Sequence, residues 1–113
     1  MLLPIKAKIL GKEFKIKYQK ITKWDRVEVM GLTFRDLKTI KISLNLHDNA
    51  EELYATLFHE LLHAALSVPK LDSEIDEELE ERIIICLENA IAPLIDFKNT
   101  ELFTLKEIKT KWE

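Results

Sequence analysis

The stretch from residue 39 to residue 67 reads TIKISLNLHDNAEELYATLFHELLHAALS, and its pattern changes midway from strand to helix. Residues 39–46 alternate between apolar and polar side chains, which predicts a strand with one buried face. Residues 47–49, His-Asp-Asn, then supply a turn and a helix cap. From residue 50 to residue 67 the apolar side chains recur at helical spacing, at Leu53, Leu57, Leu61 and Ala64. We therefore expect a strand that leads directly into a helix, which Pro69 closes.

The segment before this unit has the alternation of a small sheet. Residues 4–10 and 13–20 both alternate with period two, and Gly11-Lys12 separates them. This arrangement predicts a β-hairpin with a tight turn. Residues 26–30 fit a third short strand and a loop equally well.

The segment after the unit predicts a second helix over residues 74–95. Asp72 or Ser73 can cap it, and its first turns are acidic, as the helix dipole favours. Cys86 lies in an apolar run at residues 83–87, which makes it a candidate for the core. The predicted fold class is α+β, with a small, mostly antiparallel sheet packed on two helices.

Length and composition limit the class of protein. A chain of 113 residues fits one domain, residues 1–113, and its 47% hydrophobic and 33% charged residues are typical of a globular protein. Cys86 is the only cysteine, so no intramolecular disulfide can form. The first residues lack the features of a signal peptide, and no apolar run is long enough to span a bilayer. We therefore expect a cytoplasmic protein with no membrane partner.

The charge is unevenly distributed along the chain. Residues 1–50 carry 11 Lys/Arg and 5 Asp/Glu, whereas residues 51–113 carry 6 and 15. A basic half can indicate nucleic-acid binding. Here the lysines alternate with apolar residues, as in Phe14-Lys15-Ile16, which is typical of the solvated face of a sheet. We therefore expect no nucleic-acid partner, and salt-dependent binding to random duplex would contradict this.

The predicted helix over residues 50–67 contains a His-Glu-x-x-His motif, with His59, Glu60 and His63. Residues four apart on a helix differ by about 40° around its axis, so both imidazoles project from one face and can bind one ion. Zinc accepts such ligands. Glu60 points to the neighbouring sector, where it can act as general base on a metal-bound water. The motif predicts a zinc site with a catalytic carboxylate.

A catalytic zinc site needs a third protein ligand and one open position. No histidine follows His63, so a carboxylate must supply that ligand. Glu80 and Glu81 lie where the acidic start of the second helix meets its apolar run. From position alone, either one fits.

The His-Glu-x-x-His motif followed by an acidic helix resembles the site of gluzincins, which are zinc peptidases in which a glutamate on a later helix completes the zinc site. The resemblance is closest to minigluzincins and small phage-type metallopeptidases, and it covers roughly residues 36–95. It rests on the segments TLFHELLHAA at residues 56–65 and LEERII at residues 79–84. In that family the ligand glutamate opens a Glu-x-x-aliphatic run, which favours Glu81 here over Glu80.

The resemblance implies a zinc-dependent metallopeptidase that hydrolyses peptide bonds of a peptide or protein substrate through a zinc-activated water. Larger gluzincins also carry a downstream His or Tyr that stabilises the oxyanion. This chain has neither after His63. The alternative is therefore a weak or inactive zinc-binding module that holds a protein partner.

Two further expectations concern the surroundings of the site. Residues 39–46 are a candidate for the edge strand on which an extended substrate pairs. Residues 97–113 carry apolar side chains on one side, so this tail is expected to fold back on the domain, as core or as a cover for the cleft.

Overall fold

The computed structural model describes residues 3–91. Its strands are β1 (Lys6–Ile9), β2 (Lys12–Gln19), β3 (Thr22–Trp24), β4 (Val27–Val29), β5 (Gly31–Phe34) and β6 (Thr39–Ser43). Its helices are α1 (Ala50–Ser67), a short 3₁₀ helix (Leu71–Ser73) and α2 (Glu77–Ile91). The expected α+β class is confirmed, and no helix within residues 3–91 is long and apolar enough to cross a membrane.

A mixed four-stranded sheet has the order β1-β2-β6-β5. β1 and β2 form the predicted antiparallel hairpin, β2 and β6 are parallel, and β5 and β6 are antiparallel. β3 and β4 form a separate hairpin, so the segment at residues 26–30 contains a strand. The turn of the first hairpin lies at Leu10-Gly11, one residue earlier than predicted, because Ile9 pairs with Lys12. Both turn residues have positive φ, 47° and 84°, as a type I′ turn requires.

The expectation that residues 39–46 form the sheet edge is wrong. β6 lies between β2 and β5, and β5 takes the edge position instead. β5 is only four residues long, GLTF, and begins with Gly, so its sequence alone does not identify a strand. Its extended form depends on pairing with β6, in which Gly31 lies opposite Ile42 and Phe34 lies opposite Thr39.

One face of the sheet packs against α1 and forms the core. Side chains two apart along a strand share a face, so the parallel register of β2 and β6 brings their apolar residues together. The buried core residues of these strands, of the position after β6 and of α1 are Phe14, Ile16, Tyr18, Ile40, Ile42, Leu44, Leu53, Tyr54, Leu57 and Ala64. Asn49 caps α1, because its side-chain oxygen accepts a hydrogen bond of 2.8 Å from the backbone N–H of Glu52.

The second helix starts later than predicted. Asp76 is the residue that caps α2, since its Oδ1 accepts a hydrogen bond of 2.7 Å from the backbone N–H of Leu79. Ile84 is fully buried. Cys86 is exposed, so its expected place in the core is wrong within the described residues. It lies two residues from Ile84, about 200° around the helix axis. The predicted end of this helix at residues 92–95 and the tail at 97–113 lie outside the described residues.

Candidate metal centre

The two histidines of the motif lie side by side in the middle of α1. Their ring centroids are 5.1 Å apart, and the rings meet at 65°. Glu60 is buried between them and the sheet, with 7% of its surface exposed. A ligand atom from each of His59, Glu60 and His63 lies within 4.8 Å of the other two. The helix therefore brings the three residues of the motif to one place, as its spacing predicts.

Glu81 of α2 faces the same ring nitrogen of both histidines. Its Oε1 lies 2.7 Å from His63 Nε2, and its Oε2 lies 3.4 Å from His59 Nε2. The carboxylate thus closes a triangle with the two Nε2 atoms. Glu80, the other candidate for this position, lies on the opposite side of the His63 ring.

A different carboxylate contacts the Nδ1 atom of each histidine. Glu80 Oε2 lies 2.5 Å from His63 Nδ1, and Glu88 Oε2 lies 2.8 Å from His59 Nδ1. Such carboxylate partners fix the orientation and tautomer of a metal-binding imidazole. Each ring therefore has its Nε2 free to point toward Glu81.

The charges around the two rings favour a bound cation. A neutral imidazole has one N–H and one lone pair, so it cannot donate to carboxylates at both of its nitrogens. The carboxylates of Glu60, Glu80, Glu81 and Glu88 surround the rings, and within the described part of the chain only Arg35 forms a Lys/Arg ion pair with any of them. A divalent ion between the two Nε2 atoms and the Glu81 carboxylate would accept both lone pairs and offset the negative charge. The donor set therefore fits a metal ion.

Glu60 is held by the edge strand of the sheet. The Thr33 hydroxyl lies 2.9 Å from Glu60 Oε1 and 3.1 Å from its backbone oxygen. Burial raises the pKa of the Glu60 carboxyl, while the Thr33 hydrogen bond and the two imidazoles lower it in part. A carboxylate in this environment is a better proton acceptor than one in water.

Sequence reasoning assigned no role at the site to three residues that contact it: Thr33, Arg35 and Glu88, of which only Glu88 was among the acidic candidates of the second helix. Thr33 and Arg35 lie on or next to β5, whose sequence alone does not identify a strand. Glu88 is seven residues after Glu81, which places both on one face of α2. That spacing was the available signal for Glu88.

Two cavities meet at the site. One, of about 420 Å³, lies toward Trp24 and Arg35 and is lined by both histidines and Glu81. The other, of about 470 Å³, lies toward Met30 and Ala55. Both are lined by Gly31, His59 and Glu60. Glu60 therefore lies in the wall that the two cavities share.

Gly31 allows β5 to approach α1 closely. A Cβ atom at this position would lie 2.8 Å from Thr56 Cγ2 and 2.9 Å from Glu60 Cγ. We expect Gly31→Ala to lower the free energy of unfolding by about 1–3 kcal/mol, as overpacking does, and to displace Glu60. Urea denaturation measures the first effect, and the rate of any hydrolysis measures the second.

Gly11→Ala is the matched control for this substitution. Gly11 has φ of 84°, with nothing within 4 Å of a Cβ atom, so alanine there costs roughly 1–2 kcal/mol of backbone strain away from the site. It should leave hydrolysis by the folded protein unchanged. Equal activity loss in the two variants would contradict the packing argument.

No protein-family model, curated protein or solved structure matches this chain. The resemblance to gluzincins therefore stays a prediction that rests on the residues of the site.

Proposed function

We propose that this chain is a zinc-dependent metallopeptidase of gluzincin type, with zinc held by His59, His63 and Glu81 and with Glu60 as general base. One observation carries the proposal. The Glu81 carboxylate faces Nε2 of both histidines, while Glu80 and Glu88 occupy the two Nδ1 atoms. Two imidazoles and one carboxylate are a ligand set of hydrolytic zinc enzymes, which leave a further position open.

Zinc is the metal that this donor set fits best. Imidazole nitrogens suit a borderline-soft ion, whereas calcium and magnesium prefer oxygen ligands. When bound, zinc would acidify a water molecule and polarise a substrate carbonyl. The protein contributes the fixed positions of the ligands and the base.

Glu60 has the surroundings that a general base requires. It takes a proton from the attacking water and returns it to the amine that leaves. A carboxyl whose pKa is raised by burial performs both transfers near neutral pH more readily than one with the usual pKa. The Thr33 hydroxyl holds one carboxylate oxygen and leaves the other available for the proton.

A peptide substrate can bind to β5 by strand addition. β5 pairs with β6 on one edge, and within the described part of the chain no strand pairs with its other edge. An extended peptide gains backbone hydrogen bonds at such an edge. β5 also holds Glu60 through Thr33, so a peptide added there would lie beside the base. The chain's single cysteine and lack of disulfides fit action in the cytoplasm.

The test is cleavage of a mixed peptide library, read by mass spectrometry, by purified protein with one equivalent of zinc. We expect cleavage with zinc, none after chelation, and recovery when zinc is added again. Zinc binding without cleavage of any peptide would support the alternative, a zinc-binding module for a protein partner.

One observation favours that alternative. The linings of the two cavities within residues 3–91 include no tyrosine and no histidine besides His59 and His63, so neither offers the usual oxyanion donor. The same library experiment therefore decides between an enzyme and a binding module.

A further inference from the structure

Arg35, the residue directly after β5, connects four elements of the fold near the candidate site. Its Nη2 lies 2.5 Å from Glu80 Oε2 on α2, and its Nη1 lies 2.8 Å from Asp72 Oδ2 in the 3₁₀ helix. The same Glu80 oxygen contacts His63 Nδ1 on α1. A guanidinium has a rigid fork of donors, so it can hold two carboxylates at once in a fixed geometry.

Glu80 needs this partner because it is buried, with only 4% of its surface exposed. A buried carboxylate without a cation is costly and tends to change position or protonation. The two histidines differ in this respect. Glu88, the partner of His59, has a side chain that is 25% exposed, so water can solvate it. The orientation of His63 therefore depends on the positive charge of Arg35, whereas that of His59 needs no such partner.

We propose that Arg35 is a positioning residue for the metal site, which fixes His63 through Glu80 and so sets the zinc affinity of the folded protein. The inference rests on the proposed zinc site and adds to it a residue that no motif contains. Arg35 lines the cavity at the site, but its ion pairs are with Asp72 and Glu80 and not with a proposed zinc ligand. Its effect passes through one carboxylate.

The experiment measures the zinc dissociation constant by competition with a chromophoric chelator, for wild type and for Arg35→Met. We expect weaker zinc binding by about 10- to 100-fold, as for other outer partners of metal-binding histidines. Arg35→Lys should recover only part of this loss, because an ammonium lacks the fork that reaches Asp72 and Glu80 together. Arg82→Met removes one positive charge from an exposed position on α2 and should leave the affinity unchanged.

Double variants separate positioning from a general effect on folding. Because Arg35 and Glu80 act in series, Arg35→Met/Glu80→Gln should bind zinc about as tightly as the weaker single variant. Arg35→Met/Glu88→Gln should show the product of its two single effects, since Glu88 serves the other histidine. Glu80→Gln also removes the buried negative charge that Arg35 neutralises. If Arg35→Met alone does not fold, Arg35→Met can therefore still be tested in the Glu80→Gln protein, where it should have no further effect on zinc affinity.

The outcomes distinguish this inference from the proposed function. If wild type binds no zinc, the proposed function fails. If wild type binds zinc and Arg35→Met binds it equally well, the positioning role fails while the zinc site stands. Lower stability of metal-free Arg35→Met with unchanged zinc affinity would likewise reduce Arg35 to a structural residue.

Discussion

Replacing His63 or His59 with alanine is expected to abolish stoichiometric zinc binding. Wild type should retain one zinc per chain after gel filtration, because the three proposed ligands are fixed on two packed helices. Each alanine variant leaves one imidazole and one carboxylate, and its affinity should fall by more than about 100-fold, since loss of an outer partner alone costs 10- to 100-fold. Metal analysis of the purified proteins gives the stoichiometry.

The third histidine of the chain provides the control. His47 is buried before α1, and its ring nitrogens lie 2.6 Å from the Ser43 backbone oxygen and 2.7 Å from the Thr56 hydroxyl. His47→Gln should lower stability and keep one zinc. Glu81→Ala, by contrast, should weaken zinc retention as the third ligand is lost. Full zinc retention by both His59→Ala and His63→Ala, or no zinc in wild type, would exclude the proposed metal site.

Glu60→Gln is expected to lower hydrolysis by about 100- to 10,000-fold while the protein keeps its zinc. The amide has the shape of the carboxyl and can still accept the Thr33 hydrogen bond, but it cannot take a proton from water. Steady-state cleavage of a peptide found in the library, together with metal analysis, tests this. Equal rates in the two proteins would exclude Glu60 as the base.

The same substitution should stabilise the metal-free protein at neutral pH. Burial raises the folded-state pKa of Glu60 above its ordinary value of 4.5. A raised pKa gives a contribution to stability that is present below the unfolded-state pKa and is lost as pH rises through the folded-state pKa. Wild type loses this contribution on the way to pH 7, and Glu60→Gln does not.

Urea denaturation of both metal-free proteins over a pH series measures this difference. The advantage of Glu60→Gln should be largest near neutral pH and shrink toward acid pH. Glu78→Gln, on the exposed side of α2, controls for the loss of one negative charge. A wild type that is the more stable protein at pH 7 would contradict the argument.

The helix that carries the His-Glu-x-x-His motif was predictable from sequence because its signals are local. The apolar spacing and the Asn49 cap act within a few turns, and α1 spans Ala50–Ser67 as expected. The choice between Glu80 and Glu81 was not predictable from spacing alone. Neighbours on a helix point about 100° apart, and the one that meets His59 and His63 depends on how α2 crosses α1.

The edge strand was hidden for a different reason. The alternation in Gly31-Leu32-Thr33-Phe34 is too short to identify a strand by itself, and the segment is fixed as a strand by pairing with β6. The position of Arg35 depends on that pairing, since the register of β5 brings the Arg35 guanidinium to Glu80. Long-range contacts of this kind are not encoded in a short window of sequence. The apolar neighbours of Cys86 gave the opposite error, a buried position for an exposed residue. A continuous apolar run on a helix includes residues on its solvent side.

The alternation of β5 has a consequence for the recognition of related chains. Gly31, Thr33 and Arg35 all contact residues of the candidate site, through close approach to α1, the bond to Glu60 and the bond to Glu80. Phe34, between two of them, instead contacts Trp24 and Lys41. Substitutions should therefore be resisted more strongly at Gly31, Thr33 and Arg35 than at Phe34. A Gly-x-Thr-x-Arg pattern upstream of His-Glu-x-x-His would identify homologues that the helical motif alone is too short to distinguish from chance.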